Sequence, residues 1–188
     1  LHSPEILHVC NDPSIIGAPF YLSAFLPGEA AVKTVPKGLD SVEEKVGMSR
    51  RAIDDLARIQ VEITPDEVKR FDRGGGELRK MVLESKRMAR QLKMRRIPGF
   101  EILGEYLLEN SPEPRPSVIC HGRYAMQNLL FGPRPPASIT GIFGWERATA
   151  SDPLMDLGYF TATYAAMDLP ETPLDSAVVT REEDGFLS

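Results

Sequence analysis

The residue types best suited to chemistry fall in one stretch, His121-Gly122-Arg123-Tyr124-Ala125-Met126-Gln127-Asn128, with Glu146, Asp152 and Asp156 further on. Arg123 is the sharpest of them. A guanidinium keeps its proton to a pKa above about 12 and offers no acceptor lone pair, so it cannot serve as a general base. It could hold a phosphate electrostatically, or it could be a solvated loop residue. Other chemistries have little to work with. No Ser-His-Asp set and no Gly-x-Ser-x-Gly are present, and Cys10 and Cys120 form no C-x-x-C pair for zinc or redox work. Gly74-Gly75-Gly76 suggests a phosphate cradle, but it follows no strand and lacks the Lys-Ser/Thr of a P-loop, so it reads as a flexible helix break. Residues 79–96 carry Arg79, Lys80, Lys86, Arg87, Arg90, Lys93, Arg95 and Arg96 against Glu84 alone. That pattern fits a patch for an anionic partner or a solvated helix face. Few aromatics interleave, which argues against single-stranded nucleic acid.

The elements that must position these residues follow from periodicity and punctuation. Residues 5–10 and 18–26 read as strands around an Asn11-Asp12-Pro13-Ser14 turn, with Pro27-Gly28 ending the second. Ser41-Val-Glu-Glu44 is a capping box opening a helix to Gln60, with Val42, Val46, Ile53, Leu56 and Ile59 at helical spacing. Thr64-Pro65-Asp66-Glu67 opens a second helix. A third runs from about Glu77 to Lys93, and a fourth from Pro98 until Pro112, Pro114 and Pro116 end it. Strands follow at Ser117–Cys120, Asn128–Phe131 and Ser138–Phe143, with a polar loop at 121–127 and a turn at 132–136. Asp152-Pro153 caps a last helix, and residues 170–188 read as an acidic, Pro-rich loop. The class is α+β: a hairpin, a helical body and a β-loop-β-turn-β unit.

The bulk numbers agree. The 188 residues suit one domain or one domain plus part of another, and 42% apolar content is enough for a sizeable core. The formal charge of -5 gives no overall bias towards polyanions. No run approaches the roughly 20 apolar residues of a membrane span, and the start Leu1-His2-Ser3-Pro4 is not a signal peptide. The missing initiator Met suggests a chain cut from a longer one. The two cysteines read as buried free thiols of a cytoplasmic protein, with a structural disulfide as the alternative.

Taken in order, several motifs resemble one family. His121 followed by Arg123 and, five residues later, Asn128 matches the spacing of the kinase loop His-x-Asp-x4-Asn. Gly141-Ile-Phe-Gly-Trp-Glu146 and Ser151-Asp-Pro-Leu-Met-Asp-Leu157 resemble the hydrophobic-Asp-Trp-Glu strand and the Gly-Asp-Pro-x-x-Asp-Leu helix of the aminoglycoside phosphotransferase and choline kinase-like family. Ile97-Pro-Gly-Phe100 with Glu105-Tyr-Leu-Leu108 is similar to the subgroup associated with acyl-CoA dehydrogenases. The resemblance runs from about residue 4 to 187. It implies a protein-kinase-like fold, with residues 1–28 as the end of the small lobe and the hinge, and 29–188 as the helical C-lobe carrying the catalytic-loop unit at 117–146. It also implies ATP and Mg2+ as cofactors and a small-molecule hydroxyl substrate, in this subgroup one linked to acyl-CoA. The backbone of Leu22, Ser23, Ala24 and Phe25 would meet adenine. His121 would shape the catalytic loop, Asn128 would hold the magnesium ion, and Asp152 and Asp156 would brace the loop and the helix after it.

Three departures from the family pattern bear on activity. Arg123 stands at the catalytic-Asp position, where phosphoryl transfer needs a carboxylate to orient the hydroxyl. Gly144 stands at the metal-Asp position; Glu146, on the same face if this is a strand, is a possible substitute. The family's Gly-rich loop and phosphate Lys would precede residue 1, and Lys33 and Lys37 follow the hinge, misplaced for that role. The expected function is therefore a kinase-like phosphotransferase-family protein without catalysis. The alternatives are an active small-molecule kinase when a full small lobe is present, and a non-enzymatic binding module using the basic helix at 79–96.

Overall fold

The computed structural model describes residues 3–32, 34–72, 78–91, 97–164 and 185–187. Strands β1 (Ile6–Cys10) and β2 (Phe20–Ser23) form an antiparallel hairpin, with Cys10 opposite Phe20 and a bulge between Ile6 and His8. The second strand is shorter than the 18–26 expected. Pro19 has no N–H for a ladder, and beyond Ala24 the chain turns to dock, with Thr140 Oγ1 donating to the Pro27 carbonyl at 2.8 Å. The hairpin stands apart from the core: Leu7, Val9, Tyr21 and Leu22 are each more than half exposed.

Residues Glu29–Ala30 then form a short strand, β3, that periodicity did not predict. Helix α1 (Val42–Glu62) follows, then α2 (Pro65–Phe71), α3 (Leu78–Gln91) and α4 (Phe100–Glu109). After them come β4 (Val118–Cys120), β5 (Leu129–Phe131), β6 (Ile139–Ile142), β7 (Thr149–Ser151) and α5 (Leu154–Tyr164). One antiparallel sheet has the order β3-β5-β6, and a second pairs β4 with β7. The mix of helices and small sheets is the α+β arrangement expected. Because β3 pairs with β5, Glu29 opposite Phe131, the segment leaving the hairpin is tied directly to the candidate loop.

Helix α1 buries Met48, Ala52, Leu56 and Ile59, spaced four, four and three residues apart, against Leu129, Phe131, Ile142 and Phe160. The expected stripe was only half right: Val42 and Ile53 face solvent, a step around the helix from the buried face. Ser41 Oγ accepts from Glu44 N–H as a cap should. The box stays half-formed, because the Glu44 carboxylate instead accepts from Ala137 N–H at 2.6 Å. At α2 the box is complete: Thr64 and Glu67 satisfy each other's backbone N–H groups.

Helices α3 and α4 pack together and bury little beyond Gly104. Lys86 and Arg90 both pair with Glu101, and Arg79 donates to the Leu108 carbonyl. Three of the eight cations of the basic helix therefore hold it to its neighbour. Lys93, Arg95, Arg96, Gly74-Gly75-Gly76, Lys33 and His2 lie outside the described residues, as do residues 165–184 and 188 of the C-terminal stretch. Both cysteines are free; Cys120 is buried, whereas Cys10, expected to be buried, is half-exposed.

Candidate functional site

The polar loop between β4 and β5 is built on a carboxylate supplied by α5. Asp156, fully buried, accepts from His121 N–H at 2.6 Å with one oxygen and from Gly122 N–H at 2.8 Å with the other. Burial pushes this carboxyl above its ordinary range, while the two N–H donors pull the other way. Asp152 caps α5 by accepting from Leu154 N–H at 2.8 Å, and its carbonyl accepts from the Cys120 thiol. Asp156 braces the loop, and Asp152 braces the start of the helix. Asp156 is no exposed first-turn acid of the kind its helix position alone would suggest.

His121 is equally committed. Its Nε2–H donates to the Phe143 carbonyl at 2.7 Å, and its Nδ1 accepts from Arg123 N–H at 3.2 Å. Those two bonds fix one neutral tautomer. Burial lowers its pKa, in the same sense. The ring lies 4.6 Å, centroid to centroid, from Trp145, whose Nε1–H donates to the Ile142 carbonyl. An imidazole closed in on both nitrogens shapes the loop and has no free nitrogen for proton transfer.

The loop is less polar than its sequence suggested. Tyr124, Ala125 and Met126 are buried, and the Tyr124 hydroxyl donates to the Ala52 carbonyl of α1 at 2.6 Å. Sequence reasoning missed this anchor. The signal was there in an aromatic and a Met inside a stretch read as a polar loop.

Positions 123, 128 and 144 come together in part. Asn128 ends a 3-10 turn, Met126–Asn128, rather than starting a strand, and its Nδ2 donates to the Arg123 carbonyl at 2.7 Å. Gly144 has φ +85°, and a Cβ built on it would meet the Oδ1, Nδ2 and Cγ of Asn128, each at 3.4 Å. Position 144 therefore faces the Asn128 amide. Glu146 lies in a 3-10 turn, Trp145–Arg147, so the strand argument placing it on the face of position 144 does not hold. The Arg123 side chain is exposed.

These residues do not fit a magnesium ion. The three nearest neighbours of a side chain at 144 all belong to one neutral amide. No group of three or more His, Cys, Asp or Glu among the described residues could hold a metal. A hard dication wants carboxylate oxygens.

In the hinge-like segment, Leu22 and Ser23 pair with β1, and Ala24 N–H donates to the Glu5 carbonyl at 2.8 Å. The Ala24 donor is therefore already engaged. Phe25 is 90% exposed.

Comparison with known proteins brings these features together. The model of the phosphotransferase enzyme family, APH, matches residues 1–185. Mouse acyl-CoA dehydrogenase family member 10 is 29% identical over 163 residues, covering 86% of this chain and 15% of that protein. Chicken acyl-CoA dehydrogenase family member 11 is 29% identical over 168 residues, 86% of this chain and 21% of that protein. The chain thus spans about a fifth or less of these relatives. Among solved structures, aminoglycoside-3'-phosphotransferase of type VIII superposes with a TM-score of 0.61 at 18% identity, covering 85% of this chain and 57% of that one. A thermostable variant of APH(4)-Ia, in ternary complex with ADP and hygromycin B, gives 0.56 at 13% identity, covering 84% and 54%. At these identities the structures establish the kinase-like fold.

Proposed function

This chain belongs to the phosphotransferase enzyme family, and from that premise we propose that it is a kinase-like member that does not transfer phosphate. The observation that carries the reading is an intact loop scaffold with its two acidic positions replaced. Asp156, His121 and Asn128 hold the loop, and by the family resemblance Arg123 and Gly144 take the positions where the chemistry needs carboxylates. Losing one well-placed charged group commonly raises a barrier by several kcal/mol, and about 1.4 kcal/mol is tenfold in rate. Replacing the base and a metal ligand together leaves a rate near background. On this reading the chain is a cytoplasmic pseudokinase, with residues 1–28 the end of the small lobe and hinge and 29–188 the C-lobe. With a phosphotransferase-family fold calling for a hydroxyl acceptor, the acyl-CoA dehydrogenase names of the relatives favour acyl-CoA-linked hydroxyl compounds as the ligand class. The test is transfer of radiolabelled γ-phosphate from ATP with Mg2+ to a panel of hydroxyl acceptors, including hydroxyacyl thioesters. The expected result is no transfer above the uncatalysed control, and robust turnover on any acceptor overturns the reading.

A second reading, an active kinase when the small lobe is complete, has one observation in its favour. The β1–β2 hairpin exposes Leu7, Val9, Tyr21 and Leu22 as a sheet awaiting further strands would. Calorimetry on a chain extended at its N-terminus decides it: failure to bind Mg-ATP removes this alternative.

A further inference from the structure

We propose that the loop is an anion site that binds the di- or triphosphate group of a ligand free of divalent metal, with Arg123 supplying the positive charge. The inference rests on the reading that phosphate is not transferred here.

The first argument is the mounting of Arg123. Its N–H donates to His121 Nδ1 and its carbonyl accepts from Asn128 Nδ2, so both ends of its backbone are held. The neighbouring N–H groups of His121 and Gly122 are in turn held by the buried Asp156. The guanidinium therefore extends from a fixed Cα. It is exposed, and it has no hydrogen-bond or ion-pair partner among the described residues. An unpaired guanidinium on a rigid mount loses little backbone freedom on binding, and its planar fork matches phosphate oxygens.

The second argument is the charge around it. A Cβ at Gly122 would lie 2.9 Å from the Cβ of Arg147, so a second exposed guanidinium springs from the same rim. Asn128 uses one Nδ2 hydrogen on the Arg123 carbonyl and keeps the other for an acceptor. The opposing charges are Glu146, exposed on the Trp145–Arg147 turn, and Asp156, whose oxygens are turned to backbone N–H groups beneath the loop. At position 144 there is no side chain to repel a phosphate. A site with carboxylates at 123 and 144 would admit phosphate only with cations between; this one has the cation built in.

The charge argument fixes a sign. Mg2+ neutralises part of the charge that Arg123 would meet, so added metal weakens binding, opposite to what a metal-dependent kinase does. Calorimetry on the whole chain with pyrophosphate, tripolyphosphate and ATP, in EDTA and in excess Mg2+, tests it. All three bind in EDTA, and Mg2+ weakens each. R123A weakens each by about tenfold or more, the scale of one charge-assisted contact, and R123K retains part of the affinity. R134A, an exposed arginine of the 132–136 turn, changes nothing. Circular dichroism establishes that the variants fold. ATP binding tighter than tripolyphosphate assigns a nucleotide, and parity assigns phosphate alone; both support the site. No binding in EDTA, tighter binding in Mg2+, or an R123A variant that binds like the parent overturns it. Absent binding with absent transfer sinks this site and leaves the inactive-kinase reading standing, whereas γ-phosphate transfer overturns that reading itself.

Discussion

His121 is a buried imidazole with both nitrogens engaged, and its titration leaves a measurable trace. Burial holds its pKa below the roughly 6.5 of an unfolded imidazole. Between those two values the unfolded chain binds the extra proton, so stability rises with pH and is lost on acidification below about 6.5. The loss is read between about pH 7.5 and about pH 5.5, the window around the unfolded value. Asp156 works in the opposite sense, because its raised folded pKa adds stability as pH falls through it. Urea unfolding of the parent beside His121→Gln isolates the imidazole: the variant keeps a donor for the Phe143 carbonyl and should show a smaller acid loss. Equal losses in both would mean His121 is protonated at no cost. Gly144 supports a second prediction. Asp is among the residues that tolerate a positive φ, at a cost of about 1–2 kcal/mol, and its carboxylate at 144 would face the Asn128 amide. Gly144→Asp should therefore bind Mn2+ at least about tenfold more tightly than the parent by electron paramagnetic resonance, the scale of one charge contact. Of these residues, His121, Arg123 and Asn128 were singled out by their spacing and the family resemblance, and the structure holds them together in one loop. Tyr124 was not, because its burial depends on Ala52, 72 positions away, and such contacts leave no local pattern.

Among the elements, α5 governs the loop more than either flanking strand does. Removing the Asp156 carboxylate leaves the N–H groups of His121 and Gly122 without acceptors inside the protein. Asp156→Ala should cost about 2–6 kcal/mol, since each of the two orphaned donors is worth about 1–3. Asp156→Asn retains one acceptor oxygen and should lose less. Urea midpoints give the order, and an Asn variant as unstable as Ala would show that the bonds contribute little. Helix starts were read correctly from the sequence, at Ser41 and Thr64, because capping is a local interaction. The failures were tertiary. Glu44 turned to Ala137, and the two-residue strand β3 exists only because β5 is there to pair with it. The strand that would have put Glu146 on the face of position 144 ends at Ile142, and Gly144 turns left-handed into the 3-10 turn that carries Glu146.

For the molecule as a whole, the body and the hairpin differ in support. The core joins α1, β5, β6 and α5 through Met48, Leu56, Phe131, Ile142 and Phe160. The two-stranded hairpin has apolar residues on its surface and no third strand among the described residues, and such a unit is marginal by itself in water. Hydrogen exchange should therefore be faster at Val9 and Tyr21 than at Leu129 and Phe131. Equal protection would show the hairpin to be held by contacts as strong as the core's. The fold class and the order of the longer elements were readable from motifs spread along the chain, whereas the short strands β3 and β7 were not. The independence of the hairpin was not, since alternating apolar residues look the same whether or not anything covers them.

The thiols open a practical route to watching the two halves. Burial pushes Cys120 up to about 12, so it stays protonated and inert to alkylating labels at neutral pH. Cys10, half-exposed at the end of β1, is then the single reactive handle of the parent among the described residues. A second handle introduced by Arg123→Cys would sit on the most firmly held stretch of the loop. Two spin labels or a dye pair at 10 and 123 would give a distance ruler between the hairpin and the loop, with its loop end held by Asp156.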